Sequence, residues 1–230
     1  MQKGKFYKLK WLIIALFLFL LYLLPNIISA NMVSLFFWTK SYDQMLQYAG
    51  YSELFLLILG NVIGIFICYR FGFYNKWKSV FSIKNTIILL IFIITLLIVE
   101  WGAQTFYQYY ASGILGDTQS ATYNESIMPP VVYYTIINFS APVFEEAIFR
   151  ECIYRFFKNP NISFIVSCVL FAFLHTGFTT SFWVYIIMAM MFTAVYHRRR
   201  VLLDSIIVHL GYNVLITPVF KLLFHLFGFY

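Results

Sequence analysis

The residues best suited to chemistry in this sequence are two adjacent carboxylates and an arginine, Glu145, Glu146 and Arg150, inside an apolar stretch at 131–157. An ionisable side chain at membrane depth costs roughly 3 kcal/mol or more, so it usually indicates a functional site. Glu146 and Arg150 have the spacing and order that favour an ion pair along a helix. Glu145 is rotated by roughly 100° from Glu146 and cannot use Arg150 in the same way. Glu145 is therefore the candidate acid–base residue; the alternative is that both glutamates are structural.

Two later apolar segments carry histidines. Phe171 and His175 are four residues apart, as are His209 and Asn213, so each pair shares one face of a helix. With a rise of about 1.5 Å per residue, Glu145, His175 and His209 lie roughly 18, 20 and 12 Å above the inner ends of their segments. One site near the middle of the membrane could therefore use all three. His197 and His225 have no comparable companions, and we assign them no role.

These residues are positioned by a chain that is far more apolar than a soluble domain. Of its 230 residues, 62% are hydrophobic and 11% charged. Apolar segments fall at 11–30, 53–69, 86–104, 131–157, 162–176, 181–196 and 201–216, with a short eighth candidate at 218–230. The alternation of a transmembrane β-barrel is absent. The sequence thus predicts an all-α polytopic transmembrane helix bundle of seven or eight spans. It forms a single integrated membrane domain, with three spans and an outer loop in 1–130 and a catalytic core in 131–230.

The charges indicate how the chain is oriented. Basic residues cluster before the first span and after the second, fourth and sixth spans, which places the N-terminus in the cytoplasm. Because these clusters do not form one polar face, the net charge of +7 does not indicate nucleic-acid binding. The expected partners are the lipid bilayer and a membrane peptide or protein. The three cysteines lie in or beside apolar runs, so a disulfide framework is not expected.

Two features concern the shape of the chain around the glutamates. The polar connector at 104–130 is predicted to lie on the outer side and to end in Pro129 and Pro130, which suit the start of a helix. Pro142 removes one backbone hydrogen bond and is predicted to kink or loosen the helix one turn before Glu145.

The three motifs together, Glu-Glu-x-x-x-Arg, Phe-x-x-x-His and His-x-x-x-Asn, resemble the CPBP family of intramembrane proteases, also called the Abi or CAAX-protease-like family. The resemblance covers residues 131–215 and differs at Glu151, where many relatives have glycine. It implies that Glu145 and His175 activate a water that attacks a peptide carbonyl. It also implies that His209 and Asn213 stabilise the oxyanion, with Glu146 and Arg150 as a supporting brace.

The resemblance leaves the metal content open between two readings. No cofactor is expected in the first, in which the carboxylate and histidine act without metal. In the second, Glu145, His175 and His209 bind zinc, a ligand set found in hydrolytic sites. The short His-Glu-x-x-His motif of zinc proteases is absent, which favours the metal-free reading.

The leading functional prediction is an intramembrane endopeptidase in a cell membrane. The abundance of Phe, Ile, Tyr and Lys fits a bacterial source with an AT-rich genome. The second hypothesis is a non-enzymatic protein of the same fold, such as a bacteriocin-immunity or scaffold protein. A transporter with a proton relay is disfavoured because the chain has no repeated halves.

Overall fold

The computed structural model describes residues 2–110, 130–179 and 181–227, and every regular element in these ranges is helical. The prediction of an all-α membrane helix bundle is therefore confirmed. The long helices are α1 (Gln2–Phe36), α2 (Tyr42–Arg70), α3 (Ile83–Tyr110), α4 (residues 130–157), α5 (Pro160–Thr176), α6 (Phe182–Arg199) and α7 (Leu202–Phe227), with a short 3-10 helix at Trp77–Phe81.

Four of these helices contain segments long and apolar enough to cross a membrane: Phe6–Phe36, Tyr42–Arg70, Ile83–Ala103 and Leu202–Val219. Helix α5 is a shorter apolar helix. The candidate eighth span is not a separate helix, because α7 continues through Pro218 to Phe227. A proline within a membrane helix is tolerated where neighbouring groups satisfy the freed carbonyl. Within the described ranges the bundle therefore has seven long helices.

The predicted connector at 104–130 begins later than expected. Helix α3 extends past Gln104 to Tyr110, and the helical part of α4 starts at Pro130. The remainder of that connector, 111–129, lies outside the described residues.

Helix α4, which carries the glutamates, is not a regular α-helix. It consists of α-helical turns at Pro130–Thr135, Ala141–Glu146 and Ile153–Phe157, separated by π-helical turns at Ile136–Ser140 and Ala147–Cys152. Pro142 is the second residue after the first π segment, so the predicted distortion takes the form of a widened turn. Because π turns often mark functional sites, the position of Glu145 and Glu146 between two of them is notable.

Small residues allow α2 to approach its neighbours closely. A Cβ atom at Gly60 would lie 3.0 Å from the backbone oxygen of Leu21 in α1. A Cβ atom at Gly64 would lie 2.7 Å from the Phe144 ring of α4. In membranes, helices associate through such close packing because burial from lipid gains little hydrophobic free energy. The two glycines thus fix α2 against α1 and against the turn that holds Glu145.

Glu151, the departure from the family pattern, joins three elements near one end of the bundle. Its carboxylate accepts hydrogen bonds from Arg155 and from the hydroxyl of Tyr196, the latter at 2.6 Å. Arg155 also donates to the backbone oxygens of Phe71 at 2.8 Å and Gly72 at 3.1 Å. This position thus holds a buried polar junction between α4, α6 and the turn that follows α2.

A second polar junction surrounds Asp204, which is fully buried at the start of α7. It forms ion pairs with Arg199 at 2.9 Å and Arg198 at 3.2 Å and accepts from Asn85 of α3 at 3.0 Å. Three helices are joined here by charge-assisted contacts, which are stronger than neutral hydrogen bonds. The three cysteines, Cys68, Cys152 and Cys168, are buried and free.

Candidate active site

Glu146 and Arg150 form the predicted ion pair in full burial. Arg150 Nε lies 3.0 Å from Glu146 Oε2, and both side chains are 0% exposed. Arg150 Nη1 also donates to Ser167 Oγ at 2.8 Å, and its guanidinium lies 5.0 Å from the centre of the Phe171 ring. The guanidinium therefore connects α4 to α5. Ser167 was not singled out from sequence, because one serine in an apolar run carries no distinguishing signal.

Glu146 has a second partner that the spacing along α4 does not reveal. Its Oε1 lies 3.0 Å from His209 Nδ1 of α7. A carboxylate can only accept when ionised, so Nδ1 carries a proton and donates to it. The His209 ring is also stacked on Phe192 with centroids 4.2 Å apart. These contacts fix both the position of the imidazole and the direction of its other nitrogen, Nε2.

His175 is fixed in a similar way. Its Nδ1 lies 2.7 Å from the backbone oxygen of Phe171, and a carbonyl only accepts, so this nitrogen also carries a proton. The ring lies between those of Phe171 and Tyr185, with centroid distances of 4.2 and 5.3 Å. In the neutral ring Nε2 is left with its lone pair, directed toward Glu145.

Glu145 lies between the two imidazoles. Its Oε1 is 3.6 Å from His175 Nε2, and its Oε2 is 4.0 Å from His209 Nε2. Both separations exceed a direct hydrogen bond. A carboxylate and an imidazole lone pair are both acceptors, so a single water molecule can donate to the two of them at such a spacing. The arrangement is suited to orienting a water and removing its proton.

The three residues line one cavity of about 280 Å³ inside the bundle. Asn213, one turn beyond His209 on α7, lines the same cavity. Its walls come from six helices: Tyr22 of α1, Glu100 of α3, Ala141 and Glu145 of α4, Phe171 and His175 of α5, Tyr185 and Met188 of α6, and His209, Tyr212 and Asn213 of α7. The structure thus brings Glu145, His175, His209 and Asn213 to one cavity, with Glu146 and Arg150 behind its wall.

Two lining residues were missed by sequence reasoning. Glu100 is 8% exposed and belongs to the apolar run at 86–104, so the argument applied to Glu145 would have selected it. Tyr22 lies among many aromatic residues of α1, where nothing in the sequence distinguishes it.

Glu145, His175 and His209 are the possible zinc ligands. Among the residues described, no group of three His, Cys, Asp or Glu side chains is arranged to hold a metal ion. Each histidine uses Nδ1 for a protein partner, Phe171 or Glu146, and presents Nε2 to Glu145, as metal-binding histidines also do. The metal-free mechanism and the zinc alternative both stay predictions, and no chemical step is derived through a metal.

Comparison with known proteins gives two kinds of match. Residues 127–215, which include all three motifs, match the family described as "Type II CAAX prenyl endopeptidase Rce1-like". Nearly the whole chain is similar to proteins of Lactococcus lactis. The "UPF0177 protein in abiGi 5'region" of subspecies cremoris is 39% identical over 97% of this chain and 96% of its own length. The UPF0177 protein YaiH of subspecies lactis is 36% identical over 97% of this chain and 94% of its own. No solved structure matches significantly.

Proposed function

The chain belongs to the UPF0177 proteins of the CPBP family, and from that membership and the geometry around Glu145 we propose that it is an intramembrane endopeptidase. The substrate is a membrane-associated peptide or protein, and the site is in the membrane of a bacterial cell. One observation carries the proposal: a carboxylate lies 3.6 and 4.0 Å from two oriented imidazoles inside a cavity of the bundle. The similar proteins come from a bacterium, Lactococcus lactis, which supports the bacterial location.

Hydrolysis begins with a water held by Glu145 and His175. The pair removes a proton from the water as its oxygen attacks the scissile carbonyl carbon, and the carbonyl oxygen becomes an oxyanion. Collapse of the tetrahedral intermediate breaks the C–N bond, and the same pair returns the proton to the leaving amine. Positioned acid–base groups of this kind typically contribute about 10²- to 10⁴-fold to a rate.

Asn213 and His209 stabilise the oxyanion in this scheme. Asn213 can donate from its amide, whereas His209 already uses Nδ1–H toward Glu146. His209 can therefore donate from Nε2 only as an imidazolium. The contact with Glu146 holds the ring of His209 in place, so Glu146 acts through His209 and is a positioning residue. Donors placed in advance at the oxyanion are often the largest single contribution to such catalysis.

The proposal is tested by matched glutamate variants. Glu145→Gln keeps the shape of the side chain and removes the base, whereas Glu53→Gln makes the same change at a buried glutamate of α2 that accepts from Asn26 at 3.1 Å. Each protein is co-expressed with candidate membrane peptides at equal membrane levels. We expect Glu145→Gln and His175→Ala to abolish cleavage and Glu53→Gln to retain it.

The same assay separates the competing functions. A Glu145→Gln protein that keeps its cellular phenotype would show that the chain acts as an immunity or scaffold protein. For the metal question, wild-type protein is assayed with and without a zinc chelator, and its zinc content is measured. We expect cleavage that resists the chelator; loss of cleavage together with one zinc per chain would overturn the metal-free mechanism.

A further inference from the structure

An apolar groove lies on the outside of the bundle where α1, α4 and α5 meet. It has a volume of about 220 Å³, and its walls include the side chains of Leu12, Ala15, Ile153, Phe156, Val166 and Leu170. Leu12 and Leu170 are 55% and 40% exposed, so the groove opens toward the surrounding lipid. Val166 and Leu170 lie six and ten residues beyond Pro160, or about 9 and 15 Å from the start of α5. The groove therefore lies in the half of the bundle next to the basic connectors, which the positive-inside rule assigns to the cytoplasm.

The walls of this groove suit a hydrocarbon chain. Three helices contribute aliphatic and aromatic side chains to them. A chain that lies between helices touches protein on more than one side, and its many weak dispersion contacts add up. In membranes such packing, and not transfer out of water, is what favours association. A lipid acyl chain is therefore a ligand that the groove fits.

Two lysines lie at the cytoplasmic end of the groove. Lys8 of α1 has its Nζ 5.5 Å from the centre of the Phe156 ring, which lines the groove. Lys158, the residue after α4, has its Nζ 4.0 Å from the centre of the Tyr7 ring of α1. Both lysines are exposed, so their ammonium groups are accessible to a ligand. They give the end of the groove a positive charge.

The neighbouring sequence supplies little negative charge to offset these lysines. Residues 1–42 and 152–203, which include all of α1, α5 and α6, contain no aspartate or glutamate. Glu151 is the acid nearest to Lys158 along the chain, and its carboxylate accepts hydrogen bonds from Arg155 and Tyr196. Basic pockets between helices on the cytoplasmic side of a membrane protein are typical sites for anionic lipid headgroups. The charge at this end of the groove thus matches a negatively charged headgroup.

A buried hydrogen-bond donor lies at the same end. Trp11 lines the groove and is 4% exposed, and among the described residues its indole N–H has no hydrogen-bond partner. Because buried polar groups are nearly always paired, such a donor indicates a partner from outside the chain. The phosphate and ester oxygens of a phospholipid are acceptors, and tryptophan is enriched at the membrane interface where they lie. The indole therefore provides a further contact for a headgroup.

We propose that this groove binds one phospholipid of the cytoplasmic leaflet that carries a net negative charge. One acyl chain lies in the groove, Lys8 and Lys158 bind the headgroup, and the Trp11 N–H donates to a phosphate or ester oxygen. The lipid connects α1 to α4 and α5 beside the π turn Ala147–Cys152, whose last residue lines the groove. This inference is independent of the proposed peptidase function.

The preference for a negative headgroup is tested with two lipids that have identical acyl chains. Full-length protein is purified in a mild detergent, and binding of phosphatidylglycerol and phosphatidylcholine is titrated by native mass spectrometry. Because each lysine near anionic lipid contributes about a fivefold factor in affinity, we expect wild-type protein to prefer phosphatidylglycerol roughly 25-fold. Lys8→Gln/Lys158→Gln should lose this preference. Lys78→Gln/Lys84→Gln, which removes two exposed lysines of another basic connector, is the matched control and should keep it.

The position of the lipid is tested by variants of α1. Ala15→Leu extends a side chain into the groove, whereas Ala30→Leu makes the same change at an exposed position of the same helix. We expect Ala15→Leu to weaken binding of both lipids at least about fivefold, as in other overpacked sites, and Ala30→Leu to bind as wild type. Trp11→Phe keeps an aromatic ring and removes the N–H, so it should weaken binding of both lipids and retain the preference for phosphatidylglycerol.

Three results would overturn the lipid site. Equal affinities of wild-type protein for the two lipids would show that the headgroup is not selected. Equal losses in the two lysine pairs would show that the general surface charge, and not the groove, attracts the lipid. Unchanged binding by Ala15→Leu would show that the lipid binds elsewhere. Unfolding temperatures in phosphatidylcholine identify any unstable groove variant, and the variants of the exposed lysines still decide the result in that case.

Discussion

Three glutamates within seven residues of α4 have three different environments, and the neighbours of each determine what it can do. Glu145 faces the cavity between two imidazoles. Glu146 is fully buried between Arg150 and His209, and Glu151 joins Arg155 to Tyr196. Only the first has an open space in which a substrate or water could be held. The catalytic proposal for Glu145 therefore rests on its surroundings as much as on its residue type.

Glu146 and Arg150 should be strongly coupled in stability. Glu146→Gln leaves the Arg150 charge in full burial without its counter-charge, and breaking such a pair typically costs about 3 to 5 kcal/mol. The double variant Glu146→Gln/Arg150→Met removes both charges and should recover a large part of that loss. The coupling free energy between Glu146 and Arg150 is obtained from the unfolding free energies of the single and double variants, all measured in one detergent.

A second readout of the same variants concerns the role of Glu146 in positioning His209. If cleavage by the double variant stays low while its stability recovers, Glu146 supports catalysis through the imidazole. If stability losses are simply additive, the ion pair is not the coupled unit that its geometry indicates. Arg70→Met, which changes an exposed arginine at the end of α2, is the control.

Part of the site could be predicted from the sequence, and part could not. Glu145, His175, His209 and Asn213 were selected because ionisable or polar residues at helical spacing are rare in apolar runs. The contact between Glu146 and His209 was not predicted, since it joins residues 63 positions apart on helices whose rotation is set by packing. Glu100 was detectable by the same reasoning as Glu145, but the cavity that it lines depends on how α3 packs against the other helices.

At the scale of elements, α4 is the helix that places the chemistry, and its irregular winding is the part that hydropathy could not predict. Apolar length identified the helix, and Pro142 indicated a distortion. The two π turns also depend on what the freed backbone and side chains meet in α1, α2 and α5. For example, Asn61 of α2 donates to Ser140 Oγ at 2.8 Å, at the end of the first π turn. Contacts between helices therefore set the local winding.

Packing of α2 against α4 should be sensitive to a single methyl group. In Gly64→Ala the new Cβ would lie 2.7 Å from the Phe144 ring, which is 1% exposed and adjacent to Glu145. We expect a loss of stability of about 1 to 3 kcal/mol, as for other overpacked cores, together with reduced cleavage. Thermal unfolding in detergent and the cleavage assay measure the two effects.

Gly102→Ala is the control for this prediction. A Cβ at that position in α3 would meet nothing within 4 Å, so the same chemical change should leave stability and cleavage near the wild-type values. Equal losses of stability in the two variants would mean that the contact with Phe144 is not responsible, because alanine itself is a better helix former than glycine.

On the scale of the whole molecule, the basic connectors meet at one end of the bundle. Lys76 donates to the backbone oxygen of Arg199 at 3.2 Å, and Arg199 donates to that of Ser79 at 3.0 Å. Lys158, after α4, lies 4.0 Å from the centre of the Tyr7 ring in α1. The alternating charges that indicated orientation thus belong to a single surface, which the positive-inside rule assigns to the cytoplasm.

This orientation yields a prediction about the last helix. Because α7 runs unbroken from Leu202 to Phe227, residues 200 and 227 should lie on opposite sides of the membrane. Alkaline phosphatase, which is active only after export, should be inactive when fused after Arg200 and active when fused after Phe227; a fluorescent protein that folds only in the cytoplasm should show the reverse. Matching signals at both points would mean that 218–230 returns as a separate span. With the predicted result, His175, at the end of α5 away from the basic connectors, lies in the outer half of the bundle.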